Sequence, residues 1–516
     1  MRFLFFVLAV AAITLYYFLH VVKMCTVFVY PIDDAYIHLA MAKNFAFEGI
    51  WSPQTKYSFM SSSSSPGFVL ILSLFFRIFG NHELIPIYLN IVILILLVFF
   101  AHKYFLNSYN TIIYIIFSFF FVSLFLPHNQ IITGMEHLFH CLFMLLSFKK
   151  LHDLLLNNFM RNDIILFCFF TALATLFRFE TLFYISAVCF GLIIYTKKLK
   201  LAFVIAVISS LPFIIYGFIS LQNGAYFLSN SLLTKSSFFM VNGNWYLKLI
   251  KILYLYFLKI INGNILFLFS LSAFCIFFYM KSKDLSSRIL LFTVLITFLI
   301  HGFFAQFGWL FRYETYLVLM FLILVHNFFQ TYYNTYIKQK LLLLFIFVIL
   351  FTQSLYRFYI CDKTIKLASV NINHQQISMS KFIGKYYNNS NIIINDIGAI
   401  SYYTKAKYID LYGLASPHIL NYKFNTNDKK FLNFPCLIEK EATETKVSLV
   451  CIYDNSLKKI PASWQKVASW QIINNIACGR GTVYFFGINK KQYSEIYNYL
   501  KAFQNELNPT INVKYF

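Results

Sequence analysis

Charge is what this sequence has least of. Asp, Glu, Lys and Arg make up 12% of its 516 residues, about half the roughly 25% of a soluble globular chain. That scarcity excludes a water-soluble fold for most of the length. A hydrophobic content of 59% and a mean hydropathy of +0.66 exclude disorder as well. Acids are scarcer than bases, 20 against 43, for a net charge of +23. In a soluble protein this would point to nucleic acid. Here the basic residues sit between hydrophobic runs, where they act as topology signals, and no nucleic-acid partner is expected. None of the nine cysteines forms a C-x-x-C pair, so no zinc or thioredoxin-like site is suggested. No internal repeat occurs. The abundance of Phe (64) and Tyr (37) is what AT-rich coding produces and carries no functional weight.

What the sequence does have is long apolar runs, the mark of a polytopic membrane protein in contact with membrane lipids. The first, 3–22, has the roughly 20 residues needed to cross about 30 Å of hydrocarbon. It ends in Lys23-Met24-Cys25 without a small-residue cleavage site, so it is read as an uncleaved span. Later runs lie at 84–101, 111–127, 131–147, 164–177, 181–195, 201–218, 264–280, 289–305, 313–330 and 341–356, about 11 spans in all. With Arg2 in the cytoplasm, alternation puts Lys103, Lys149, Lys150, Arg161, Lys197, Lys198 and Lys200 inside. Lys281, Lys283, Arg288, Lys338 and Lys340 follow them. This is the positive-inside pattern. It leaves the N-terminus cytoplasmic, the C-terminus periplasmic, and only Arg178 and Arg312 in short outer turns.

Three outer segments are long. The first, about 23–83, contains an apolar stretch at 68–79 that is expected to lie along the membrane surface. The second, about 219–263, carries Lys248, Lys251 and Lys259 within 245–261, which suits an interfacial amphipathic helix. The third is the tail, 357–516, long enough for a soluble α/β domain distinct from a catalytic membrane domain at 1–356. Strands are expected at 391–395, 408–411, 448–453 and 482–486, a helical turn at 399–403 and an amphipathic helix at 490–507.

The strongest local feature is Asp33-Asp34, just after Pro31, in a predicted helix start. Capping needs one acid. Two adjacent carboxylates repel, and one gains affinity for a proton, which is useful in a general base. His38 follows Asp34 by one turn. Ser61 to Ser65, with Pro66-Gly67 after them, read first as a polar linker. Glu136, at the outer end of the fourth span, is costly unless paired. Arg178-Phe179-Glu180 and Arg312-Tyr313-Glu314 occupy equivalent outer ends. Ion pairs with snorkelling would account for them, but three acids and two arginines on one face also fit a cavity for an anion, since arginine matches phosphate oxygens bidentately.

With these residues in view, the chain resembles the bacterial GT-C glycosyltransferases, polytopic enzymes that take sugars from polyprenyl-phosphate carriers. The resemblance rests on Asp33-Asp34-Ala35-Tyr36-Ile37 with Ala42, Lys43 and Asn44, on Ser65-Pro66-Gly67-Phe68, on Thr133-Gly134-Met135-Glu136, and on Arg178-Phe179-Glu180. The last is similar to the family's Arg-Pro-Glu with Phe179 replacing proline, and Lys43 stands where an arginine is common. Asp396-Ile397-Gly398-Ala399 and Ile409-Asp410-Leu411-Tyr412-Gly413 resemble the periplasmic tail of the arabinofuranosyltransferase-like branch. The resemblance implies transfer of a hexose or pentose from a polyprenyl-phosphate carrier to an envelope glycan or lipid such as lipopolysaccharide, on the outer face of the inner membrane. Asp33 would be the base. Asp34 would orient the acceptor or the base, or help hold a divalent cation; no other cofactor is implied. Arg178 and Arg312 would receive the donor phosphate, with Glu136, Glu180, Glu314, His38 and Lys43 around them.

Other readings differ in what they require. A lipid-sugar flippase would place charges at mid-membrane and show repeats. A scaffold presenting the tail would not need Asp33-Asp34. An O-antigen polymerase or ligase would carry its large loop between late spans. Of the four tail cysteines, Cys361, Cys436, Cys451 and Cys478, at least one pair is expected to bridge in an oxidising compartment, Cys436–Cys451 most easily by loop length. The charge alternation is directly testable: a reporter fused after Leu199 or Lys283 should read cytoplasmic and one after Phe516 periplasmic. A cytoplasmic C-terminus would overturn both the span count and the tail's location.

Overall fold

The computed structural model describes residues 2–106, 111–235, 265–279, 284–331, 340–425, 433–454 and 456–516, with a few positions between 246 and 258. Over their described residues the expected runs are mostly helical, as hydrocarbon demands, since a segment there must satisfy its own N–H and C=O groups; the run at 131–147 is split by a turn at 133–136, between the helices Pro127–Ile132 and His137–Leu156. Among the described residues, six helical stretches are long and apolar enough to cross a membrane: Arg2–Cys25, Ile85–Leu106, Thr111–Ile132, Leu199–Gln222, Leu285–Phe304 and Leu341–Tyr386. Thr181–Thr196, Leu266–Phe277 and Thr315–Gln330 are apolar but shorter. The helix His137–Leu156 is more polar for a structural reason. It packs against Arg161–Phe177, Ile85–Ala101 and Thr315–Thr331, so its faces meet protein and need no lipid-compatible surface.

The helices Asp33–Glu48 and Pro66–Phe79 pack on each other in the segment after the first apolar helix. The second spans 14 residues, about 21 Å at 1.5 Å per residue, too short to cross the bilayer upright. Its buried stripe is Phe68, Val69, Leu72, Ser73 and Phe76. About half of the stretch expected as an amphipathic helix at 245–261, Lys248 and Lys259 included, lies outside the described residues.

A 33-residue helix, Lys340–Ile372, continues through a π turn (Asn373–Ile377) into Ser378–Tyr386. The domain join expected at 356/357 lies inside this helix. Arg357, at that point, is buried, donating Nε to the Leu124 carbonyl (2.9 Å) and Nη2 to Glu314 Oε1 (2.8 Å).

The tail folds on a six-stranded sheet made of β1 (Asn391–Ile394), β2 (Lys407–Asp410), β3 (Leu449–Tyr453), β4 (Gln465–Gln471), β5 (Thr482–Gly487) and β6 (Asn512–Tyr515). Its order is β2-β1-β3-β5-β4-β6. β1 runs parallel to both β2 and β3, and the remaining pairs are antiparallel. The four expected strands are present. β4 and β6 were not expected from sequence: β4 mixes Gln, Lys and Ser with its apolar residues, and β6 is a four-residue edge in a polar terminus. Both sheet faces are covered, so β1 and β3 read as continuous apolar runs. Ile392, Ile394, Leu449 and Cys451 face one core, and Ile393, Ile409, Val450 and Ile452 the other, with Ile438 of the helix Phe434–Glu444.

That alternation explains why the expected Cys436–Cys451 bridge is not formed. Cys451 points into the first core, whereas Cys436 is exposed on the helix that covers the opposite face; all nine cysteines are free. In native protein, Cys436 should be alkylated first and fastest. Denatured, unreduced protein should show nine reactive thiols; seven would restore the disulfide.

Candidate active site

Asp33 and Asp34 open the helix Asp33–Glu48, but neither caps it: the residue at its N-cap is Ile32, with no side-chain cap. Asp33 instead reaches into the tail. Its Oδ2 accepts from Gly398 N (2.7 Å) and its Oδ1 from Ala399 N (2.9 Å), the first two residues of the helix Gly398–Tyr403. Position 398 must be glycine for this approach, since a Cβ there would lie 2.1 Å from the Asp33 carbonyl oxygen. Burial, with Asp396 beside it, pushes the Asp33 carboxyl up to about 7, against the two N–H groups that favour its ionised form. Asp396 follows β1 and is likewise raised by burial. It accepts from Gln376 Nε2 (2.5 Å) and from the Tyr453 hydroxyl.

Asp34 turns the other way. Its Oδ2 meets Arg312 Nη2 at 2.5 Å. Arg312 is presented by an unusual turn: Gly308, Trp309, Leu310 and Phe311 all have positive φ (76°, 42°, 60° and 58°). Left-handed backbone costs roughly 1–2 kcal/mol per non-glycine residue, so the surroundings must hold it. Asn129 Nδ2 donates to Leu310 O (2.6 Å), Gln130 Nε2 to Phe311 O (3.1 Å), and Gly308 N to Glu314 Oε2 (2.8 Å). Glu314 is in turn fixed by Arg357. Glu314 therefore braces the turn and does not line the cavity.

The two arginines differ in how much of their hydrogen bonding is spent. Arg178 is enclosed by acids: Nη1 on Glu136 Oε1 (2.7 Å), Nε on Glu180 Oε2 (3.0 Å), and Nη2 also on Glu180. Arg312 is 1% exposed, yet its Nε and Nη1 have no partner among the described residues. Tyr313 stacks beneath both, with the guanidinium carbons 5.5 and 4.8 Å from its ring centre. His38 Nε2 lies 3.6 Å from Glu136 Oε2, and its Nδ1 3.4 Å from Ser63 Oγ.

Asp34, His38, Arg178, Glu180 and Arg312 line one cavity of about 250 Å³. Its other walls are largely apolar, among them Phe179, Phe183, Phe213 and Phe304, with Ser62, Ser63 and Ser64 at one side. The serine run thus lines the cavity as well as linking two helices. Lys43 does not line it; its Nζ donates to the Tyr402 carbonyl (2.5 Å) and ties the first segment to the tail. Sequence reasoning missed Arg357, Gln130 and Asn129 because they lie in or beside apolar runs with no motif. It noted Asp396 only within the Asp396-Ile397-Gly398-Ala399 resemblance, without a role at the site. Among the described residues no group of three or more His, Cys, Asp or Glu has metal-holding geometry.

Comparison with known proteins bears on the fold. A family model described as a domain of unknown function (DUF8728) matches residues 369–492, the core of the tail. No curated protein matches the sequence. Among solved structures, the chain is similar to ArnT from Cupriavidus metallidurans, a crystal structure bound to undecaprenyl phosphate. The TM-score is 0.54 at 9% identity, over 94% of this chain and 98% of that one. At that identity the likeness concerns architecture, and it extends from end to end: the chain has a GT-C-like fold, that of a multi-pass membrane protein with a C-terminal sheet domain.

Proposed function

We propose that this protein is a glycosyltransferase that moves a sugar from a polyprenyl-phosphate carrier to an envelope glycan or lipid, on the outer face of the inner membrane. The observation that carries the reading is Arg312: a buried guanidinium with two unspent nitrogens, Nε and Nη1, beside a carboxylate, in a cavity with apolar walls. A lipid phosphate needs those features together, because its head needs a cation and its tail needs grease. The bound undecaprenyl phosphate of the ArnT structure supports a carrier of this class.

In this reading the acceptor hydroxyl oxygen attacks the anomeric carbon of the donor sugar. The new C–O bond forms as the bond to the carrier phosphate breaks, and that bond's electron pair stays on the phosphate oxygen. Arg312 stabilises the charge growing there, and Asp34 takes the hydroxyl proton. The base role passes from Asp33 to Asp34, because both Asp33 oxygens are occupied by backbone N–H groups whereas Asp34 faces the cavity. Before the donor arrives, Arg312 is paired with Asp34. The phosphate then competes with Asp34 for Arg312, and the Asp34 carboxylate turns to the acceptor hydroxyl. Asp33 becomes a positioning residue. A divalent cation at Asp33 and Asp34 would need water or substrate oxygens for most of its shell.

The reading is tested first by lipid and envelope-glycan mass spectrometry of a deletion strain, which should lack one sugar and accumulate its lipid-linked donor. An unchanged glycan profile would overturn it. At residue level, Asp34→Asn should fold normally and lose on the order of 10²–10⁴ in transfer rate, the worth of a general base. Asp33→Asn should lower the melting temperature, since an amide NH₂ would face a backbone N–H, with a smaller loss of rate in the protein that remains folded. Equal transfer by Asp34→Asn and parent would remove Asp34 as base.

The arginines should also separate. Arg312→Ala should keep its fold and weaken undecaprenyl phosphate binding about 10-fold or more, since hydrogen bonds to a charged group are worth about 1.5–3 kcal/mol. Lysine should rescue it only in part, lacking the fork. Arg178→Ala should chiefly destabilise, by about 3–5 kcal/mol, because it strands two buried acids. Thermal melts and lipid-phosphate binding on each variant decide the matter. The reverse pattern would make Arg178 the phosphate ligand.

A further inference from the structure

Asp34 has a second side. It also lines another cavity, again about 250 Å³, between the turn that presents Arg312 and the crest of the tail sheet. This space is unlike the first. Its walls carry Asp33, Asp34 and Asp396 and the amides Gln306, Gln376 and Asn395, and no lysine or arginine among the described residues. Trp309, 45% exposed, offers an indole on the side of the strained turn.

The cavity lies at the carboxyl ends of β1 and β2, which Asn395 and Asp396 follow directly and Tyr412 and Leu414 follow closely. The connection from β1 to β2 packs on one face of the sheet through Ala399 and Ile400. The connection from β2 to β3 packs on the other face through Ile419, Phe434 and Ile438. A crevice outside the carboxyl ends of parallel strands, where successive connections leave to opposite faces, is where open α/β sheets bind ligands. The loop after β2 is built to hold this shape: Asp410 accepts from Tyr412 N (2.7 Å) and Ala415 N (2.9 Å), and Gly413 takes φ 93°. Ser62 and Asn230 then fix the Leu414 carbonyl at 2.7 and 3.0 Å.

We infer that this second cavity receives the acceptor sugar, and that it selects an uncharged or cationic ring and rejects phosphorylated or uronate rings. The inference rests on the transferase reading for the word acceptor. Its charge preference rests on the cavity alone. Carboxylates and amide oxygens accept from sugar hydroxyls or an ammonium group, and they repel a second anion. An indole face suits the apolar face of a ring. A ring seated here meets Asp34 from the side opposite the arginines, so its hydroxyl and the carrier phosphate reach the same carboxylate from two directions.

The test uses the full chain in lipid nanodiscs, with Trp309 fluorescence as the readout and Trp309→Phe as its baseline. The probes are glucosamine, methyl glucoside, glucuronate and glucose 6-phosphate, with undecaprenyl phosphate binding measured separately. Glucosamine and methyl glucoside should give saturable signals, and the two anions none. Asp396→Asn should weaken glucosamine about fivefold or more, the worth of one partly buried charge contact, and leave methyl glucoside nearly unchanged. Ala477→Phe, which fills the cavity, should abolish both sugar signals and keep undecaprenyl phosphate binding. Anionic sugars binding as well as glucosamine would overturn the proposal, as would sugar signals that survive Ala477→Phe. Undecaprenyl phosphate binding without any sugar signal would sink this proposal alone. Sugar binding of the stated charge class without undecaprenyl phosphate binding would sink the donor reading and leave the cavity's selectivity standing.

Discussion

A charge taken out of water must find a partner or a set of hydrogen bonds, and in a chain with so few charges that constraint organises the site. Leaving one buried ion unpaired costs several kcal/mol. Arg357 answers Glu314, Arg178 answers Glu136 and Glu180, and Arg312 answers Asp34. Asp33 has no cation and takes two backbone N–H groups instead. Each solution joins segments far apart in sequence, so the pairings also define the tertiary arrangement. Among the described residues, Arg312 keeps two nitrogens, Nε and Nη1, without a partner, Arg357 keeps one and Glu136 one oxygen; of these groups it is Arg312 that lines a cavity.

The supports behind that arginine form a chain of consequences. Arg357 sits inside the helix that leads into the tail, and it fixes Glu314. Glu314 holds Gly308 N, which starts the left-handed turn, and the turn delivers Arg312 to Asp34. Strain of this kind is retained where the surroundings over-determine it, and here two side-chain amides and a carboxylate do so. The tail matters for the same reason. Gln54 accepts from Tyr408 N and donates to the Tyr408 and Ala415 carbonyls, Lys43 holds Tyr402, and Asp33 caps Gly398–Tyr403. The sheet domain is thereby seated on the first segment, and it brings Asp396 close to Asp33.

Much of the fold was legible in the sequence because it follows from periodicity and apolar length. The helical character of the apolar runs and of 68–79, and four of six strands, needed no tertiary information. β4 and β6 needed it, since their pairing with β5 and with each other compensates for weak local preference. The boundary at 357 was drawn where apolar character ends, but helical structure does not end there. Asp362, Lys363 and Lys366 continue the same helix beyond its apolar stretch. The disulfide expectation failed on geometry: loop length says nothing about which face of a strand a cysteine points to.

The site divides in the same way. Residue types at span ends marked Asp33, Asp34, Glu136, Arg178, Glu180 and Arg312 because charges at such places demand an explanation. The division of labour was hidden, since it depends on partners that sequence spacing cannot supply. Two adjacent aspartates look equivalent on paper. One residue step along the helix separates their directions by about 100°, enough to aim Asp33 at a helix N-terminus in the tail and Asp34 at an arginine across the cavity. Likewise Arg178 and Arg312 share the pattern Arg-aromatic-Glu. In the first the following glutamate closes back on its own arginine; in the second it turns away to brace Gly308 and pair with Arg357. That single difference in where a glutamate points makes one arginine a structural pin and leaves the other available to an anion.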